Sequence, residues 1–519
     1  MNRRLNSINF YGLIGLIFLL FSIPKSDEEG SPPPQNTKPK HVILLIADDY
    51  GVVSAEAYAD LWDSARVAPT PNINSICSKG VRFQEAWSNP SCSPTRATLL
   101  TGRFGFRTGM GFVIPVSDDI DIDEPTLPRL IDTDLPGYAL ANIGKWHLGT
   151  GAELQGNLAP NVMGWPYYAG SLQGQLSSYD EWLRTENGAT SISTTYATTQ
   201  NVDDAIAFLD GRDKDQPFVL WMAFNAPHSP YHLPPAELHS YDDLSGSPED
   251  ILQNPLPYFE AMVEALDTEI GRLLSHIPDT DGDGLPDDTM VVFLGDNGSL
   301  SNILPMPYTG LPGKGSLYRH GIQVPLCIAG AGVQQGGRDI PHPVNIIDVH
   351  ATVIDMLGVD SDASEVVTDS NSLRPYLEEA RKNRLPGGKS MFGRMQGLIG
   401  SLVNRKSLEE SAKGYATARR RARVFTEQFF PDDFASTPRG STAPGATISN
   451  GRHKLIRFET LDSFREECYD LKNDPREESD LLSQSNASQN DLLPCNWLRK
   501  ELLKEVCSEP DGAWSAWCE

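Results

Sequence analysis

Four apolar runs in this 519-residue chain end in residue types that do chemistry. His41–Ile46 leads into Asp48-Asp49, and the run after Gly137 leads into Lys145 and His147. The run after Pro217 leads into Asn225 and His228, and the one after Thr289 into Asp296-Asn297. Each has a bland reading alone: paired Asp caps a helix, Asp-Asn-Gly turns a hairpin, a lone His sits satisfied in a core. Four at equivalent places read as one site, because open α/β sheets bind ligands outside the carboxyl ends of their strands. Asp48, Asp49, Asp296 and the amide oxygen of Asn297 are hard ligands that suit Ca²⁺, or Mg²⁺ as the second choice. No close-spaced His or Cys set accompanies them to favour zinc. Between these pieces lies PSCSPTRATLLTG, Pro90 to Gly102. Pro94 can open a helix, which places Cys92 at a helix N-terminus, where free amides and the positive dipole end favour an anionic group.

The segments between and beneath these residues alternate in type. Continuous apolar runs bounded by Gly, Asp or Asn read as buried parallel strands. Between them lie helical patterns, clearest from Tyr258 to Leu274 and again from Val202; Asn345–Val359 reads as a last packing helix. The expected fold is α/β: a large central mixed, mostly parallel sheet sandwiched by helices. From about Leu385 the texture changes to short strand-like pieces with a tight hairpin turn at Asn450-Gly451. Asp474-Pro475 with Glu477 reads as the start of a helix. This predicts a smaller α+β C-terminal domain with a short antiparallel sheet. The expected boundaries are residues 1–25 (signal or anchor), 26–39 (Pro-rich linker), 40–384 (catalytic domain) and 385–519 (C-terminal subdomain). Arg419, Arg420, Arg421 and Arg423 read as a solvated helix face.

A formal charge of −26 argues against a nucleic-acid partner, since phosphate neutralisation needs an excess of Lys and Arg. Arg3 and Arg4 followed by the apolar run Phe10–Ile23 read as an export signal, with an uncleaved membrane anchor as the alternative. The expected location is periplasmic or extracellular. Cys468, Cys495, Cys507 and Cys518 form an even set near the C-terminal end, and two disulfides among them leave three connectivities open. Cys77 and Cys327 sit in apolar contexts and read as small buried residues. Asp279, Asp281, Asp283, Asp287 and Asp288 resemble an EF-hand-like Ca²⁺ loop, although Met290 stands where the bidentate Glu belongs; the other reading is a solvated acidic turn.

The Cys92 run resembles the sulfatase signature C-x-P-x-R followed by two apolar residues and T-G, and it matches at every defining position. Gly137–His147 resembles the second sulfatase signature, ending G-K-W-H, and departs at Leu140, where Ser or Thr is usual. ADDYG, NAPHSPYH, GDNG and GKGSLYRHGIQVP resemble further sulfatase blocks in the right order over roughly residues 40 to 360, with a weaker echo in GRHKLI and CYDLKNDPREESDLL. The resemblance is to type I, formylglycine-dependent, arylsulfatase-like enzymes of the alkaline phosphatase superfamily. It implies that Cys92 is oxidised to formylglycine (3-oxoalanine) by a formylglycine-generating enzyme. The hydrated aldehyde attacks sulfur through one hydroxyl, and loss of the proton from the second expels sulfate by C–O cleavage. It also implies that Asp48, Asp49, Asp296 and Asn297 hold the cation, that Arg96 and Lys145 stabilise the diol and bind sulfate, and that His147 takes the proton from the second hydroxyl. Lys314 and His228 neutralise sulfate and protonate the leaving oxygen. Arg319 and His320 depart from the usual residues and are candidates for shaping the substrate pocket. The implied activity is hydrolysis of sulfate esters, of a sulfated carbohydrate in nature and of aryl sulfates in vitro. Two alternatives stay open: a phosphodiester or phosphonate monoester hydrolase of the same fold, and a catalytically silent exported carbohydrate-binding protein.

Overall fold

His41–Ala47 (HVILLIA) is buried along its whole length, so it can only be an interior strand with both faces covered. Its side chains alternate between two cores. Ile43 and Leu45 pack with helices Pro71–Lys79, Ala197–Gly211 and Pro255–His276, while Val42, Leu44 and Ile46 pack with Cys92–Thr101, Leu127–Asp134 and Asp348–Leu357. The computed structural model describes residues 38–114, 118–360, 368–378, 423–429, 444–460, 463–485, 488–508, 514 and 517–518. The apolar run Phe10–Ile23 and Arg419–Arg421 lie outside them. Among the described residues no helix is long and apolar enough to cross a membrane.

The central sheet has ten strands, in the order Arg338–Ile340, Val81–Phe83, Leu326–Gly330, Thr289–Gly295, His41–Ala47, Phe218–Ala223, Ala139–Lys145, Tyr167–Ser171, Trp182–Glu186 and Ala189–Ser193. Thr289–Gly295 through Tyr167–Ser171 run parallel. The carboxyl ends of the strands preceding Asp48, Lys145, Asn225 and Asp296 therefore share one edge. The pairing of Ala47 with Gly295 sets Asp48-Asp49 beside Asp296-Asn297. The expected mixed, mostly parallel sheet with helices on both faces is what forms.

A second, antiparallel sheet of Val424–Gln428, Gly445–Ser449, His453–Glu459 and Phe464–Asp470 carries the Asn450-Gly451 hairpin and packs under helix Gln489–Val506. It joins the catalytic body through Phe425, which meets Phe104 and Phe106 edge-on. Asp474-Pro475 does not open a helix. The segment stays in turns, with Glu477 at φ 58°, because the Glu477 carboxylate is drawn inward to pair with Lys454 (2.6 Å).

Among the C-terminal cysteines the pairs are Cys468–Cys495 and Cys507–Cys518. Cys77 and Cys327 are not free buried thiols: they form a third disulfide. Strand Val81–Phe83 pairs antiparallel with Leu326–Gly330, and helix Pro71–Lys79 precedes it, which brings the two Cα atoms to 5.0 Å. The pair is 250 residues apart in sequence, so no local signal announced it. Closing so long a loop restricts the unfolded chain strongly. The double substitution Cys77→Ala/Cys327→Ala is expected to lower stability by about 2–5 kcal/mol, read as a lower urea midpoint with the native fold retained.

Candidate active site

Cys92 is the first residue of a ten-residue helix whose every member is buried, with Ser91 as an extended N-cap and Pro94 in its first turn. Among the described residues it is the one cysteine outside a disulfide. Lys314 Nζ donates to its Sγ at 3.3 Å, and His147 and His228 stand beside it. Burial pushes the thiol up, but the charges of Lys145 and Lys314 and the two histidine contacts outweigh it and hold the group well below its ordinary range. Sγ marks where an oxygen of a hydrated aldehyde at this position would lie.

The acidic residues form a lattice around it. The Asp49 backbone N–H donates to Asp296 Oδ1 (3.0 Å), and Asn297 Nδ2 donates to Asp49 Oδ1 (2.7 Å). Lys145 Nζ donates to Asp48 Oδ2 (2.5 Å), Lys314 pairs with Asp49 Oδ1 (2.5 Å), and Arg96 Nη2 donates to Asp296 Oδ2 (2.8 Å). Arg96 Nη1 also donates to the Lys145 carbonyl (3.0 Å), tying the Cys92 helix to the end of strand Ala139–Lys145. Burial raises Asp48, with Lys145 offsetting only part, and pushes Asp296 up to about 8, aided by the nearby charge of Asp48. Burial acts on Asp49 too, but Lys314 and His228 prevail and keep it low.

Three oxygens of this lattice, Asp48 Oδ1, Asp49 Oδ2 and Asn297 Oδ1, are buried with no hydrogen-bond partner among the described residues. Orphaned buried oxygens of one sign are costly, and a hard cation satisfies them all at once. Ligand atoms of Asp48, Asp49, Cys92 and His228 also lie within 4.8 Å of one another. The residues thus fit a divalent cation, which would act as a Lewis acid toward an oxyanion ester.

His228 follows the cis Ala226-Pro227 bond; its Nε2 lies 3.6 Å from Asp49 Oδ2. Burial pushes its pKa down, but Asp49 raises it overall. His147 Nε2 contacts the Ile114 carbonyl (3.2 Å), and burial together with Lys145 keeps its ring neutral-leaning. Asp49 (φ 66°) and His147 (φ 55°) both adopt the left-handed backbone region, a sparsely used conformation that re-aims each side chain just past its strand.

The ten catalytic and metal residues singled out from sequence therefore meet in one crevice. Asn225 turns away and donates to Ser171 Oγ (3.0 Å). Arg319 and His320 do not line the crevice. Arg319 is 6 % exposed, paired with Glu85 and stacked over Trp62; His320 is 3 % exposed between Trp62 and Tyr308. The Asp279–Asp288 loop sits at the opposite end of the strands, where the Asp288 carbonyl accepts from Lys40 and His41 N–H at the start of the central strand. It gathers Asp279, Asp281 and Asp287 but leaves Asp283 and Asp288 out of that group. Asp279 accepts from the N–H groups of Gly282, Asp283 and Gly284, as an acidic turn does.

Two residues that support the site carry no sequence signal. Tyr179 OH lies 2.7 Å from the carbonyls of both Asn225 and His228, fastening the loop that presents the His228 ring. Gly174 faces His147: a Cβ there would come within 2.3 Å of the imidazole. Gly174→Ala is expected to lower kcat by about 10²-fold while leaving the melting temperature close to wild type, because it displaces one ring rather than the sheet.

The fold and this crevice define an alkaline-phosphatase-type hydrolase, with a thiol at a helix N-terminus beside an oxygen cage and two lysines. The chain belongs to the sulfatase family, whose profile matches residues 40–359, and it is a sulfuric ester hydrolase. It is 24% identical over 587 residues to a sulfatase of Formosa agariphila, covering 100% of this chain and 96% of the relative. It is 30% identical over 230 residues to the N-acetylglucosamine-6-O-sulfatase of Bacteroides thetaiotaomicron, covering 42% of this chain and 38% of that one. Among solved structures, one described as a complex with its substrate D-glucosamine-2-N,6-O-disulfate superposes with a TM-score of 0.64 at 21% identity, covering 91% of this chain and 99% of the other.

Proposed function

We propose that this sulfatase is an exported enzyme that removes sulfate from a sulfated carbohydrate, using a formylglycine made from Cys92 and a Ca²⁺ ion, with Mg²⁺ as the alternative cation. The observation that carries the reading is one unpaired thiol, held by Lys314 and flanked by two histidines, beside three buried oxygens that lack partners among the described residues. The carbohydrate class is supported by the N-acetylglucosamine-6-O-sulfatase relative and by the glucosamine disulfate bound in the structural neighbour. Export is supported by three disulfides, which persist in oxidising compartments. A formylglycine-generating enzyme is then a partner in maturation.

A formylglycine hydrate at residue 92 would supply the nucleophilic hydroxyl and a second one that the chain can deprotonate. Asp48, Asp49, Asp296 and Asn297 would hold the cation, which would supply Lewis-acid polarisation of a sulfate oxygen. The chain does the rest. Lys145 and Lys314 bring positive charge to the equatorial oxygens, where a loose transition state gathers negative charge. Asp49 raises the His228 pKa, which favours the protonated ring that would donate to the departing oxygen. His147, held neutral by burial, accepts the proton of the second hydroxyl. Arg96 locks Asp296 to the Cys92 helix, so nucleophile and cage move as one piece. The test is a comparison of aryl sulfate with aryl phosphodiester, then a panel of sulfated glycans. Preference for the diester would replace the sulfate reading with that of a phosphodiester hydrolase, and turnover of aryl sulfate alone would remove the carbohydrate.

A further inference from the structure

Eight of the nine tryptophans are wholly or mostly buried; Trp497 alone is more than a third exposed, at 42 %. It shares a face of helix Gln489–Val506 with Leu493, four residues earlier and 61 % exposed. A lone exposed Leu is ordinary, but a large aromatic exposed beside it is informative, since both forgo burial. With Pro494 they floor an open cleft of about 660 Å³. Its other wall is the hairpin turn of the four-stranded sheet, which contributes Asn450, Arg452 and His453. Asn450 Oδ1 is taken up by the N–H groups of Arg452 and His453, which leaves its NH₂ as a donor. Arg452 gives one Nη2 to Asp470 (3.1 Å) and keeps the rest of a 59 % exposed guanidinium. The cleft thus pairs a flat apolar floor with a wall of N–H donors, in a chain whose formal net charge is −26.

We propose that this cleft is a second, non-catalytic binding site for a sulfated glycan chain, with a sugar ring lying on the Trp497 indole and a sulfate held by Arg452 and Asn450. An aromatic face suits the apolar C–H face of a sugar, and a guanidinium suits a tetrahedral oxyanion bidentately. None of the six lining residues belongs to the reactive crevice. The cleft therefore anchors a polymer while the crevice works on another part of it, raising the local concentration of ester without touching chemistry. This rests on the reading of the crevice as a carbohydrate sulfatase site.

The test is native electrophoresis of the full chain through gels containing κ-carrageenan or chondroitin sulfate, with unsulfated dextran as control. Wild type is expected to be retarded by at least one sulfated polymer and not by dextran. Trp497→Ala and Arg452→Ala are expected to lose the retardation and to raise KM for that polymer about tenfold, while Trp497→Phe keeps most of it. Aryl sulfate kinetics and melting temperature stay at wild-type values in all three. Unchanged retardation and polymer KM in Trp497→Ala, or no retardation of wild type, would overturn the proposal. So would a Trp497-dependent dimer in sedimentation without retardation, which would mark the cleft as a contact between copies. Failure of the underlying reading looks different: wild type would turn over aryl sulfate and no sulfated glycan of any length.

Discussion

Cys92→Ala is expected to abolish multiple-turnover sulfate ester hydrolysis, lowering kcat by about 10⁴-fold or more, on the order of 5 kcal/mol of barrier. The size comes from the arrangement: Lys314, His147 and His228 all converge on Sγ, so deleting that one side chain idles the whole set at once. The fold should survive, because the helix is capped by the Ser91 backbone and locked by Arg96, not by the thiol. Cys92→Ser separates mechanism from occupancy. A hydroxyl at residue 92 can attack sulfur but has no second hydroxyl with which to expel sulfate. At most one equivalent of alcohol is then released per chain, and a sulfate ester accumulates on residue 92, visible by peptide mass spectrometry. Sustained turnover by the Ser variant, or active wild type whose Cys92 peptide is entirely unmodified thiol, would remove the proposed nucleophile.

Removal of the divalent cation is expected to cost activity about 10³-fold, roughly 4 kcal/mol, and to lower the melting temperature, both restored by Ca²⁺ or Mg²⁺. Stripped of the ion, Asp48 Oδ1, Asp49 Oδ2 and Asn297 Oδ1 are left buried without partners. The pH effect has a definite sign. Without metal, burial raises Asp296 to about 8 from an ordinary 3.8, so it favours the folded state at acid pH, and that contribution is lost as pH rises through 8. The ion binds the ionised form and expels the proton. Its stabilising effect, read as the Ca²⁺-induced rise in melting temperature, should therefore be larger at pH 8.5 than at pH 6. Full activity after exhaustive chelation, with no divalent metal found by elemental analysis, would rule the cage out as a cation site.

The strands, and the polar residues just past their ends, were legible from residue order alone. A run such as HVILLIA has no polar face to offer water, so it must lie inside a covered sheet, and the polar residues after it must emerge at the sheet's edge. That is why residue order alone puts Asp48, Lys145, His228 and Asp296 at one sheet edge, and why Pro94 sets Cys92 at a helix start. Features that depend on contacts between distant segments were illegible. The Cys77–Cys327 bridge exists only because two antiparallel strands meet across 250 residues. Glu477 left its expected helix for Lys454, and Arg319 and His320 went into packing rather than into the crevice, because tertiary partners outweighed local preference. Tyr179 and Gly174 became visible only once the loops carrying them closed over His228 and His147. Local patterning dictates which residues must hide and where strands stop; only the packed chain decides which exposed ends touch, since long-range contacts are set by the whole set of burial demands at once.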